Sequence, residues 1–172
     1  MHTFNASNSP SPVFPTRNTL YALLQVGIGA VLITGLIMGV CLYPLLKGGD
    51  WRPLSIAASL AAILTSLFCW WLFILRPGRI TWLRGMGVGM LSGVLVHPAT
   101  WYLLILYYYC IGAKGSLGDP TLNPYQAILE SLVFSLWSLI IVGWFTIPLG
   151  GVGGVVLALI QRRFLFSEQR DL

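Results

Sequence analysis

Four long stretches of the chain are predominantly apolar: Leu20 to Leu46, Pro53 to Leu75, Gly85 to Ile111 and Tyr125 to Ile160. None alternates apolar and polar residues in the way that transmembrane β-strands do over about ten positions. A helix rising 1.5 Å per residue crosses a hydrocarbon core of roughly 30 Å with about 20 predominantly apolar residues, and each stretch reaches that length. The pattern predicts an all-α integral membrane protein, a four-transmembrane-helix bundle with spans at about 20–44, 54–75, 85–110 and 125–160.

The fourth stretch is too long for a simple crossing. A straight helix over Tyr125 to Ile160 would measure about 54 Å, so it must bend, protrude or cross twice. A break near Gly143 or Pro148 is expected, because a proline ring removes a backbone donor and crowds the preceding turn. The C-terminal part then crosses once. The N-terminal part, to Ile141, is amphipathic: at about 100° per residue, Ile128, Leu129, Leu132, Val133, Leu136, Leu139 and Ile140 share one half, and Gln126, Glu130, Ser131, Ser135 and Ser138 the other. Such a helix is expected to lie tilted in the outer leaflet or to pack over the bundle, with its polar half toward headgroups or protein.

Outside the single membrane domain, 20–161, residues 1–19 form a flexible polar tail rich in Asn, Ser and Pro, and 162–172 form a second tail. The longest external connection runs from Gly112 to Pro124 and reads as a solvated turn, with partner contact as the sharper alternative. No small-x-small cleavage site follows the first span, so the N-terminus is expected to be retained.

Composition agrees with membrane residence: of 172 residues 56% are hydrophobic and 9% charged, whereas a soluble domain carries about 25% charged residues. Only Glu130 is charged within the four stretches. Placing both termini in the cytoplasm puts Arg17, Arg76, Arg79, Arg84, Arg162, Arg163 and Arg170 inside, against Lys47, Arg52 and Lys114 outside, which follows the positive-inside rule. The net charge of +5 therefore reports orientation in a bacterial plasma membrane or a thylakoid-like one, and no nucleic-acid partner is expected. Trp70, Trp71 and Trp82 at the cytoplasmic boundary, and Tyr107, Tyr108 and Tyr109 at the outer one, read as interfacial belts.

Small residues recur at four-residue spacing: Gly85, Gly89 and Gly93 in the third span, and Gly150, Gly154 and Ala158 in the fourth. In lipid, helix association depends on close packing, which such ladders allow. Antiparallel register pairs Gly85 with Ala158, Gly89 with Gly154, and Gly93 with Gly150. Gly35 and Gly39 in the first span, and Ser55, Ser59, Ala62 and Ser66 in the second, extend the same expectation. The ladders hold the bundle together, or one of them stays exposed for homo-oligomerisation or docking onto other membrane proteins.

His97 continues the third-span ladder one step and faces Thr146 by the same register. An ionisable residue inside a membrane is a functional-site candidate; the structural alternative is a neutral imidazole bonded to Thr146, Thr100 or a backbone carbonyl. Glu130 is expected near the outer boundary, either as an interfacial carboxylate or lining a vestibule. Cys41, Cys69 and Cys110 have no metal-binding spacing, although Cys41 and Cys110 end on one side, where a disulfide is chemically feasible. No catalytic constellation, metal site or cofactor motif is present in the sequence. The expected role is a non-enzymatic accessory, assembly or interaction component of a membrane complex, in contact with the lipid bilayer. The alternatives are a small oligomeric transporter or channel using His97, and an intramembrane enzyme or tetrapyrrole-binding protein.

Overall fold

A computed structural model describes residues 16–37, 52–77, 80–113 and 122–168. All the regular structure among them is helical: α1 (Thr16–Ile37), α2 (Arg52–Trp70) running into a π turn (Trp71–Leu75), α3 (Trp82–Cys110), α4 (Pro124–Ser138), a π turn (Leu139–Gly143) and α5 (Trp144–Glu168). Three helical segments are long and apolar enough to cross a membrane: Arg52–Leu75, Trp82–Cys110 and Pro124–Arg163. The described apolar part of α1, Leu20–Leu32, is shorter.

Local chemistry sets the ends of these helices. Thr81 caps α3 by accepting the Arg84 N–H at 3.3 Å. The helix stops at Gly112, whose φ of 64° is a left-handed conformation costly for residues with a Cβ. Asn123 and Gln126 form a reciprocal capping box at the start of α4, with Pro124 in the first turn.

The fourth stretch is neither interrupted nor reversed. The 40 residues of Pro124–Arg163 form one helical path, about 60 Å long, and Pro148 lies inside α5 without ending it. The irregularity expected near Gly143 or Pro148 falls at the first of these, as the π turn Leu139–Gly143. A π turn takes in an extra residue without ending the helix, and continuous helix leaves no place for the reversal that a double crossing needs.

α3 is the centre of the fold, packing on α2, α4 and, most extensively, α5; α1 packs on α2 and more lightly on α5. A buried hydrophobic core lies where α1, the end of α2, the start of α3 and α5 meet, around Val26, Cys69, Trp70, Ile74, Val88 and Ala158. Trp70 is 2% exposed, and its indole N–H donates to Gln161 Oε1 at 3.0 Å. The Gln161 amide N–H in turn donates to the Ala22 carbonyl at 3.1 Å. These two bonds tie α2, α5 and α1 together, so Trp70 belongs to the core and not to an interfacial belt. Trp71 and Trp82 are exposed, as belt residues would be.

The glycine ladders face each other across α3 and α5. A Cβ added at Gly85 would lie 2.5 Å from the Gly154 carbonyl oxygen and 2.7 Å from Ala158 Cβ. One at Gly89 would overlap the Gly150 carbonyl, one at Gly154 would overlap the Gly85 carbonyl, and one at Gly150 would sit 2.5 Å from the Gly89 carbonyl oxygen. Gly93 lies against Thr146 and Ile147. The contacts straddle the one-to-one register: Gly85 seats between Gly154 and Ala158, and Gly89 between Gly150 and Gly154, because side-chain-free surfaces interdigitate carbonyl into hollow.

The first span does not follow the expected pattern. Among the described residues nothing lies within 4 Å of a Cβ added at Gly35, and Gly39 lies outside the described residues. Ala22, Val26 and Ala30 are buried instead, and a Cβ added at Gly29 would lie 3.6 Å from Leu157. In α2 the buried alanines are Ala57 and Ala61.

Candidate functional site

His97 sits in α3, four residues past Gly93, on the face turned toward the α4–α5 helix, and is 6% exposed. Its Nε2 lies 3.0 Å from Thr146 Oγ1, the residue opposite it in the ladder register. Its Nδ1 lies 2.6 Å from Ser138 Oγ. The second contact depends on the π turn. In an unbroken α-helix, residues eight apart differ by about 80° around the axis; one extra residue taken into a π turn makes them equivalent to residues seven apart, about 20° from alignment. The turn at Leu139–Gly143 thus brings Ser138 and Thr146 onto one face, two turns apart, with the imidazole between them.

One arrangement of protons uses every polar group of this chain. Thr146 Oγ1 donates to the Gly143 carbonyl at 3.5 Å, so it accepts from Nε2–H, which leaves Nδ1 to accept from the Ser138 hydroxyl. All three polar protons are then used. Both nitrogens of the imidazole are engaged. The chain also ends at a peptide carbonyl, which accepts a hydrogen bond but has no proton of its own to pass on. A metal or tetrapyrrole iron would have to displace one of the two hydroxyls to reach a ring nitrogen.

Pro98 follows His97 inside α3 and has no N–H, so the Val94 carbonyl does not receive the usual bond from four residues ahead. Thr100 is not a partner of His97; its hydroxyl donates to the Val96 carbonyl at 2.7 Å. Trp101 stacks on Phe134 with ring centroids 5.2 Å apart, which fixes α4 against α3 one turn away from the histidine.

The polar half of α4 turns inward. Ser131 and Ser135 are buried and donate to the carbonyls of Ile128 and Leu132, both at 2.8 Å. Leu129, Leu132, Leu136 and Ile140 lie on the exposed side. Glu130 is half-buried, away from His97, and does not line the cavity beside it.

That cavity, of about 640 Å³, is bounded by α1, α2, α3 and the α4–α5 helix. Ser66 and Ser92 meet in it with their oxygens 3.0 Å apart. Among the described residues no buried side-chain nitrogen or oxygen lacks a hydrogen-bond partner, and no group of three or more His, Cys, Asp or Glu residues could hold a metal ion. Cys69 is buried and Cys110 exposed; Cys41 lies outside the described residues, as does most of the Gly112–Pro124 connection.

The structure brings together His97, Thr146 and the ladder of Gly85, Gly89, Gly93, Gly150, Gly154 and Ala158, and leaves Glu130 and Gly35 apart from them. Ser138, Gln161 and the Ser66–Ser92 pair are absent from the candidates derived from the sequence. Ser138 was legible as part of a serine stripe, and Gln161 as the next step of the α5 ladder, three residues past Ala158. No known family matches the chain, and no curated protein or solved structure is similar to it.

Proposed function

We propose that the protein is a multi-pass membrane protein built as a four-span bundle, with both termini cytoplasmic. It works without catalysis, as an accessory or assembly component of a larger membrane complex. The observation that supports this reading best is the closed hydrogen-bond set of His97. The ionisable residue most able to support transport, catalysis or cofactor ligation spends both nitrogens joining α3 to α4 and α5. The glycine ladder is likewise occupied within the chain, so contact with a partner falls to another face.

The outer side of α4 is the best-suited face. Leu129, Leu136 and Ile140 are 68%, 62% and 70% exposed, and the α4–α5 helix that carries them is about twice as long as a hydrocarbon core is thick. Native gel analysis in a mild detergent tests the assignment. The parent protein is expected to migrate in an assembly larger than the monomer. A double variant, Leu136→Ala with Ile140→Ala, is expected to migrate as a monomer at an unchanged thermal midpoint, because the residues removed support little of the bundle's own packing. A parent protein that is monomeric in its native membrane extract contradicts the accessory role.

A further inference from the structure

The cavity beside His97 has the form of a ligand site, separate from the outer face of α4. α2 packs on α3 and α1, while the α4–α5 helix packs on α3 and α1 from the other side, and the cavity lies between them. One wall is a single face of α2, with Leu54, Ala58, Ala62 and Ser66 at four-residue steps; the opposite wall includes Trp137 and Ile141. No Asp, Glu, Lys or Arg lines it among the described residues. Its volume of about 640 Å³ falls within the range of about 300–1,000 Å³ usual for small-molecule sites.

The Ser66–Ser92 pair lies on its wall with bonding capacity to spare. One proton bridges the two oxygens, and two hydroxyls carry two protons, so one O–H remains to be donated. Ser131 and Ser135 turn their protons back onto carbonyls of their own helix, and Ser55 does the same with Arg52. Ser66 and Ser92 do not; they meet each other across the α2–α3 contact at the cavity wall. His97, Thr100, Ser138 and Thr146 also line the cavity, but they are bonded to one another or to their own helices, so the free donor and lone pairs of the serine pair match an uncharged oxygen function. An ionised head would be an unpaired charge in an apolar site, which is strongly disfavoured. At about 30 Å³ per non-hydrogen atom the space takes roughly twenty such atoms, enough for one alkyl or prenyl chain.

We propose that this cavity binds a single-chain lipophile with a neutral oxygen-bearing head, such as a long-chain alcohol. The head is held by Ser66 and Ser92, and the chain lies between the Leu54–Ala62 face of α2 and Trp137 and Ile141.

The test uses the full chain in phosphatidylcholine nanodiscs with a diazirine-bearing long-chain alcohol, illuminated and mapped by mass spectrometry. Saturable labelling of peptides containing Ala62 and Ile141 is expected, with displacement by excess hexadecanol at concentrations at least about tenfold below those needed for palmitate. Ala62→Phe fills the slot and is expected to reduce the labelling at least about tenfold; if that variant does not fold, the smaller Ala58→Leu serves the same purpose. Ser92→Ala is expected to weaken binding by about tenfold with the labelled positions unchanged. Labelling that does not saturate, or that persists unchanged in a folded slot-filling variant, identifies annular lipid contact and overturns the proposal. Equal displacement by palmitate overturns the neutral-head assignment.

Discussion

Gly89→Ile is expected to unfold the bundle. The first atom of any side chain at this position would overlap the Gly150 carbonyl, with Gly154 Cα at 3.2 Å on the other side. Both obstacles are backbone, so no rotamer change relieves them, and α3 and α5 would have to separate along their most extensive contact. Overpacking a core costs about 1–3 kcal/mol where side chains can shift; against two fixed backbones the cost is expected at or above about 3 kcal/mol. The check is the loss of helical signal on heating or on titration with a denaturing detergent, with Gly87→Ala as the control. Gly87 is exposed and has nothing within 4 Å of an added Cβ, so that change is expected to stabilise by about 0.5–1 kcal/mol, as alanine does in place of a mid-helix glycine. A Gly89→Ile protein that keeps its stability and loses only its larger assembly would move the ladder to an external docking surface.

His97→Leu is expected to destabilise the protein by about 1–3 kcal/mol. It removes two hydrogen bonds and leaves the hydroxyls of Ser138 and Thr146 facing an apolar side chain. Polar bonds between helices in a membrane average only about 0.6 kcal/mol and reach about 1.7, because hydroxyls find other partners, and Thr146 already reaches the Gly143 carbonyl. The loss should therefore sit in the lower part of that range. Combining His97→Leu with Ser138→Ala and Thr146→Val is expected to recover most of it, since removing all the polar partners costs less than orphaning some. Thermal midpoints of the single and triple variants measure the difference directly.

The helical class and the α3–α5 contact were legible because both rest on simple regularities. Charge segregation marks the apolar stretches, and four-residue spacing puts Gly85, Gly89 and Gly93 on one face opposite Gly150, Gly154 and Ala158. His97 facing Thr146 follows from continuing that spacing. Ser138 was not legible as a partner, because α-helical periodicity sets it about 80° from Thr146, and only the π turn between them closes the gap. The belt reading of Trp70 failed for a related reason. Sequence position put the indole at a boundary, but its N–H finds Gln161, distant in the chain, and the pair is buried together. Gly35 shows the limit of small-residue counting, since spacing defines a smooth face without supplying a neighbour to fill it.

The central claim is that His97 is a joint between helices and not a station on a proton or substrate path. Proton flux into liposomes containing the purified protein, followed with an internal pH-sensitive dye under an imposed gradient, tests it most directly. Flux through the parent protein is expected to equal the leak of protein-free liposomes and to stay there in His97→Gln, which keeps a donor and an acceptor at the same site. Flux above the leak that disappears in a folded His97→Gln protein would contradict the claim and assign the histidine to transport.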